Sequence, residues 1–477
     1  MKTNFLGQAY ASRSPILASQ TAINIYPEFN ETTGSGIGGF YGTPGLENLF
    51  QGEGEVRGLW VTRNLSLGGF WLYGVIGNTV YRFDQHYSPQ ILGVLPNSSG
   101  HVSLADNGTQ VAIAHPSGWH YVDAVSGVLA PVAGAPGGAI LGGEDNYVLF
   151  TEESGGQFGL TNLGDVATLD PLDIATAEGA PDDTVSLLTD HREAWLFGTE
   201  TIEIWSDTGA AFFPFERAPG GFIEQGICAP RSAVKIDNSV MWLGRDKNGR
   251  GIVYRANAYI PVRVSTLAVE HAIAQWPDPT DAFAYAYQEE GHTFYVLSSP
   301  SGDETWVYDV SASSLAQMAM WHQRYWMDEF GVLHRHRGNC YAQFYGDHVV
   351  GDWQNGKLYR MSLDLTDDDG QVIYRERAWE IESEEHKKIR LDEIELVALA
   401  GEGESETPKV WLKVSKDAGR QWGFERYQTL GNIGQRKTRA RWRRAGSGRD
   451  LVLRVATTTR SKVSWVGANV RGTELAR

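Results

Sequence analysis

The sequence predicts a mainly β protein: a β-propeller of six to eight blades, followed by a β-sandwich-like platform domain built from the C-terminal part and the N-terminal arm. Three observations predict it. Glycine is abundant at 55 residues and tryptophan numbers 16, while no helical periodicity runs far, a composition that describes short strands and tight turns. Similar units, each with apolar-alternating strands and a Gly, Asp or Asn turn, recur at 57–84, 100–132, 142–165, 185–219, 226–266, 281–321 and 339–370, at roughly the 40 to 50 residue spacing of propeller blades. After about Gly370 the strands lengthen and the repeat stops.

Taken in order, residues 1–56 form an arm expected to join the platform. Its glycine stretch GSGIGGF, Gly34 to Phe40, does not open a helix after a strand, so it reads as a loop rather than a dinucleotide turn. Residues 57–370 form the propeller. TIEIWSD and ETWVYDV alternate so that one face is apolar, turns such as ADNGTQ and SPSGDE join the strands, and radial repetition leaves few open sheet edges. Residues 371–477 form the platform, with LDEIELVALA, KVWLKVSKD, RARWRRAG and DLVLRVATT as longer strands around the loop AGEGESETP.

The net charge of −17 is unevenly placed. From Arg420 to Arg477, 14 Lys and Arg face three acids, a net of +11, which leaves −28 on the remaining residues. An acidic body repels a polyanion, and a basic end attracts a copy of the chain or another acidic partner. Sequence-specific DNA binding is therefore not expected. Cys228 and Cys340 are the two cysteines, far apart and without a C-x-x-C partner, so no disulfide framework is expected and a reducing compartment fits. The start MKTNFLGQAYASRSP has no apolar core, and no run of about 18 apolar residues occurs. A soluble, unexported chain without stable membrane insertion is expected.

Candidate chemistry is sparse. SKDAGRQW, Ser415 to Trp422, fits the S-x-D-x-G-x-x-W turn of sialidase propellers. The turn has a purely architectural reason: the Asp accepts from turn amides, the Gly supplies positive φ and the aromatic packs on the hairpin. Ser415, Asp417, Gly419 and Trp422 are thus structural candidates; WSDTGAAFF is only a degenerate second copy. In DLTDDDGQVIYRE, Asp367, Asp369, Gly370 and Glu376 fall at calcium-loop positions, but Leu365 stands at the first ligand position, so an acidic turn is expected instead. His322, His334, His336 and Cys340 cluster in sequence, yet the interleaved Arg335 and Arg337 repel a cation. Phosphate-loop, serine-elbow and zincin motifs are missing. No cofactor, metal or catalytic residue is expected. Arg439, Arg441 and Arg443 share one strand face with Trp442 on the other, and Arg444 follows. Such a row is either salt-bridged within the sheet or a docking surface.

Several stretches together resemble one family, the tail nozzle or hub (packaged-DNA stabilisation) proteins of short-tailed bacteriophages. They are INIYPE with YGTPGL, FFPFERAPGGFIEQGICAP, MWLGRD with VYRANAYIPVRVST and AVEHAI, GHTFYVL with ETWVYD, WHQR, and KVWLKVSKDAGRQW with TRARWRR. The motifs keep a consistent order over nearly the whole chain and are sparse between 90 and 180. The resemblance implies a propeller plus a β platform, six copies in a ring below the portal and its adaptor, and docking sites for tail fibres or tailspikes. It implies a virion tail component assembled in the host cytoplasm, through which genomic DNA passes without sequence-specific binding, and no enzyme. An acidic wall would let DNA slide where a basic one would hold phosphates, and Asp367, Asp368 and Asp369 are the candidate channel-facing acids. The rival expectations are a sialidase-like propeller glycosidase and a soluble propeller that binds glycans or protein, since fold alone does not decide between them.

Overall fold

The computed structural model describes residues 4–30, 38–64, 69–152, 155–177, 179–210, 213–245, 249, 251–382, 386–402 and 407–475. Part of the stretch Gly34–Phe40 and of the loop 400–408 lies outside them.

Among the described residues, seven four-stranded blades are present. They begin with Val56–Asn64, Ser103–Asp106, Leu141–Glu144, Thr184–Asp190, Val234–Ile236, Phe283–Glu289 and Gly338–Phe344. These first strands pack side by side in sequence order, and Gly338–Phe344 meets Val56–Asn64 to close the ring. Each blade is an antiparallel meander in which one strand is nearly all buried, as in Gln110–His115, Ser239–Arg245 and His292–Ser299. Cores lie between blades: Val56, Leu72, Phe83 and Phe344 fill the junction of the seventh and first.

The seventh blade takes its outer strand from the other end of the chain. Gly45–Gly52 pairs antiparallel with Gly356–Ser362, from Gly52 opposite Gly356 to Gly45 opposite Ser362. This segment, read from the sequence as part of the arm, therefore belongs to the propeller sheet. Closing a ring of sheets by a strand from the opposite terminus removes the last open edge.

The rest of the arm builds the sandwich. Ser19–Ile23 pairs with Arg375–Glu380 in one sheet, while Ile25–Phe29 and Gly38–Gly42 extend the other through Phe40 opposite Trp465. Between the sheets, Phe40, Trp379, Trp442, Trp465, Ile394, Leu412 and Val455 are buried in one core. The sixth blade runs into the first of these sheets through the parallel pair Ile23 and Gln323. Asn24, at positive φ in that seam, donates to the carbonyls of Tyr325 and Tyr374 at 2.9 and 2.7 Å. Arg377 holds the arm down. Fully buried, it donates to the carbonyls of Phe5, Gln8, Thr21 and Asn4 and to Gln20 Oε1 at 2.7–3.3 Å, beneath the ring of Phe40. Burial pushes its pKa down to about 9, and it is the acceptors around it that allow a guanidinium there.

Among the described residues two short α-helices, Leu267–Ile273 and Val310–Ala316, and a 3-10 turn, Pro279–Asp281, interrupt the strands. No described helix is long and apolar enough to cross a membrane.

Candidate functional site

The arginine row lies on the outer face of the second sandwich sheet. In Ala440–Gly448, side chains alternate so that Trp442 points into the core and its Nε1 donates to the Arg426 carbonyl at 2.6 Å. Arg441 and Arg443 point outward. The neighbouring strand Ile389–Ala398 places Glu395 opposite Arg441 and Glu393 opposite Arg443. Arg439 and Arg441 reach Glu395 at 3.3 and 3.2 Å, Arg443 reaches Glu393 at 3.0 Å, and Arg471 approaches Glu393 at 3.9 Å. The hydrogen bond from Arg443 holds the Glu393 carboxyl below its usual range. The row is salt-bridged within the sheet, and four guanidinia share two carboxylates, leaving a surplus of two positive charges. The carboxylates lie low while Arg443 and Arg471 stay exposed.

Arg444 does not continue the row. One extra residue is inserted on the arginine strand between the pairs at Leu391 and Glu393, and Arg444 sits in this bulge with φ +54°. Arg426 covers the strand edge here, donating to the carbonyl of Arg443 at 2.7 Å.

The Ser415–Trp422 turn closes a hairpin of the first sandwich sheet. Ser415 Oγ donates to Asp417 Oδ1 at 2.7 Å and accepts from Gly419 N at 2.9 Å, and Asp417 Oδ1 accepts from Gln421 N at 2.9 Å. These bonds, the one from Gln421 foremost, depress the Asp417 carboxyl. Gly419 adopts φ +87°. The Trp422 ring lies under the Arg454 guanidinium, 3.8 Å from it. Ser415 Oγ and Asp417 Oδ1 thus serve the turn itself.

The acidic turn corrects an expectation. Asp368 is 5% exposed and cannot line a channel wall: its backbone pairs with Leu46 of the seventh blade, and burial raises its pKa to about 7 against the pull of Arg375 and Arg337. Asp369 is held by Lys357 Nζ at 2.5 Å, and Asp367 accepts from Gly370 N at 2.8 Å. The turn sits where propeller and sandwich join, because the chain must bend there between two sheets. Glu376 is likewise committed elsewhere, accepting from Thr21 Oγ1 at 2.7 Å and Arg454 at 3.3 Å. His334 turns to Asp303 at 2.8 Å, while His336 is buried beside the Tyr285 hydroxyl. Among the described residues no group of three or more His, Cys, Asp or Glu side chains gathers as a metal site.

The acids that do share a surface are on the blades. Hairpins between first and second strands emerge on one face of a propeller, and on five successive blades they carry an acid at this place: Asp106, Asp145, Asp237 and Glu290 at the surface, and Asp190 buried. Arg192 pairs with Asp145 at 2.8 Å, Arg255 with Asp237 at 2.7 Å and Lys235 with Asp190, which offsets only part of the charge. Sequence reading missed this face because each acid is an ordinary turn residue; only the repeat register aligns them.

The comparisons with known proteins agree with this architecture. A family model described as bacteriophage P22 Gp10, β-propeller, matches residues 5–366, and a second, described as bacteriophage P22 Gp10, β-sandwich, matches residues 374–473. The chain belongs to the bacteriophage P22 Gp10 family. It is therefore a phage tail protein of the stabilisation type, and the match covers 90–180, where the recognisable motifs are sparse. No curated protein sequence matches the chain. Among solved structures it is similar to the extracellular domain of a putative hybrid two-component system of B. thetaiotaomicron, at 9% identity and TM-score 0.44 over 66% of this chain and 39% of that one. It spans 97% of a chain of the mitotic checkpoint complex at 13% identity, over 70% of its own length with TM-score 0.38. For a streptogramin B lyase the identity is 11%, the coverage 67% and 98%, and the TM-score 0.37.

Proposed function

We propose that this P22 Gp10-type protein is the homohexameric nozzle of a short phage tail, a non-enzymatic ring that extends the DNA channel below portal and adaptor. It retains the packaged genome and docks fibres or tailspikes, and its rings assemble in the host cytoplasm. The observation that carries this reading is the match of both domains, in order, to one tail-protein family. The charge distribution supports it. A surplus of positive charge on the sandwich face meets an acidic surface of a neighbour, whereas the acidic hairpin face of the propeller suits a wall that duplex DNA must slide past. The Asp417 turn supports the non-enzymatic reading, since its Oδ1 accepts from Ser415 Oγ and Gln421 N and so shapes the hairpin.

Imaging of the purified protein with its portal and adaptor tests the reading. A sixfold ring below the adaptor is expected. A protein that stays monomeric in the presence of both partners contradicts it.

A further inference from the structure

Four basic side chains from separate blade junctions meet around Phe283, at the face of the propeller opposite the acidic hairpins. Arg231, in the linker before the fifth blade, forms a parallel bridge with Phe283, and its carbonyl accepts from Ala284 N at 3.0 Å. Bridge partners present their side chains on one face. The His101 ring lies 6.0 Å from the Phe283 ring, and the Arg335 guanidinium 5.6 Å from it. Arg57 donates to the carbonyl of Gly100, next to His101, at 2.5 Å. First strands line the axis of a propeller, and 57, 101, 231, 283 and 335 all lie at or just before such strands, at their linker end.

Among the described residues neither Arg335 nor Arg231 forms a direct ion pair, although Asp303, Asp352, Asp281 and Glu55 act on Arg335 from further away. Arg335 is buried, stacked on Trp353 at 4.4 Å, and its Nη1 has no hydrogen-bond partner. Among the described residues no carboxylate pairs with Arg231, whose side chain opens to solvent at the mouth while the strands crowding it push its pKa down to about 10. The nearby acids are engaged: Asp303 accepts from His334 and from the Arg335 backbone, and Asp352 from Arg337 and Tyr359. Asp281 accepts from Ser301 N at 2.8 Å, and Glu55 is half-buried. Burial and the three surrounding arginines depress the His101 pKa to about 3, so its ring is neutral and offers an N–H rather than a charge. A buried guanidinium N–H left unpaired is costly, and guanidinia converging from different directions suit a compact oxyanion.

We infer that the linker-side mouth of the propeller axis binds one free phosphate-class oxyanion, held by Arg231 and Arg335 with His101 as a neutral donor. Duplex DNA is disfavoured as the source, because the donors sit within the ring of first strands.

Calorimetric titration of the full chain with inorganic phosphate at constant ionic strength tests it, with sodium acetate and a short DNA duplex as separate titrants. Saturable binding of one phosphate per chain, with Kd of about 1 mM or tighter, is expected. Arg231→Gln should weaken it about tenfold or more, while Arg436→Gln, on an exposed sandwich loop, should leave it unchanged. Arg335→Gln should weaken it too; if that variant fails to fold, Arg231→Gln alone decides. Absence of saturable phosphate binding, equal binding by Arg231→Gln, equal affinity for acetate, or binding of the duplex in place of phosphate would each overturn the inference.

Discussion

Arg443 and Glu393 face each other across adjacent strands of the sandwich, with the guanidinium Nε 3.0 Å from the carboxylate. The pair fixes the carboxylate low on the sheet and leaves the arginine largely in solvent, so the outward charge of the row is positive. Neutralising Arg439, Arg441 and Arg443 to Gln should therefore leave a folded monomer, since exposed pairs contribute little. Ring or tail assembly should fail. Sedimentation velocity against a thermal melt separates the two, and unchanged assembly at physiological salt would remove the docking role. Assembly of the parent should also weaken at 1 M salt, where the Debye length falls to about 3 Å.

The Ser415–Trp422 turn should behave as architecture. Gly419→Val forces a β-branched residue to φ +87° and should cost about 1 to 3 kcal/mol, read as a lower denaturant midpoint. Asp417→Ala removes the acceptor for Gln421 N and should lower the midpoint as well. Neither should alter any glycosidase rate, and a sialoside-cleaving activity present in the parent and lost in Asp417→Ala would contradict the reading.

Asp368 makes stability fall as pH rises. Its folded pKa of about 7 stands above the ordinary carboxylate value of 3.8, so the folded chain holds a proton that the unfolded chain has released. Stability from this group is complete below about pH 4 and is lost as pH rises through about 7. Asp368→Asn should flatten the fall in melting temperature between pH 4 and 8. His292 acts in the same sense at higher pH: burial opposes its charge, but Asp309 at 2.6 Å and Glu28 outweigh it and raise the pKa. Its contribution is present below about pH 6.5 and is lost as pH rises through the raised value. An unchanged pH profile in Asp368→Asn would place the titration elsewhere.

Arg377→Met should free the N-terminal arm. The substitution strips hydrogen bonds from four buried or half-buried carbonyls, a loss of more than about 2 kcal/mol. Limited proteolysis should then cut before residue 19 sooner than in the parent. Equal protection would show that Phe5, packed edge-on against Trp379, suffices to hold the arm.

Blades were legible because each repeats its own local pattern of short apolar-rich strands between turns; the alternation expected of Ile202–Asp207 and Glu304–Asp309 is not kept, because both faces of these strands pack against neighbouring blades and bury runs of successive residues. The closing strand Gly45–Gly52 was not, because its partner lies some 300 residues on and non-local pairing leaves no mark in a window. The arginine row was legible, and so in principle was its answer, since Glu393 and Glu395 repeat the same two-residue spacing in LDEIELVALA. Register alone makes them partners. Asp368 misled because a run of three acids looks solvated, and burial of its middle member follows from a tertiary bridge to Leu46. The cluster of Arg57, His101, Arg231 and Arg335 draws on four separate blade junctions, which only closure of the ring brings together.

Genome retention tests the nozzle reading most directly. Particles assembled without the protein, measured for encapsidated DNA by nuclease protection over time, should package a genome and then lose it, and adding purified protein before leakage should prevent the loss. The isolated protein should meanwhile show little affinity for duplex DNA near physiological salt, as its acidic body requires. Full retention of DNA in particles that lack the protein would contradict the central claim.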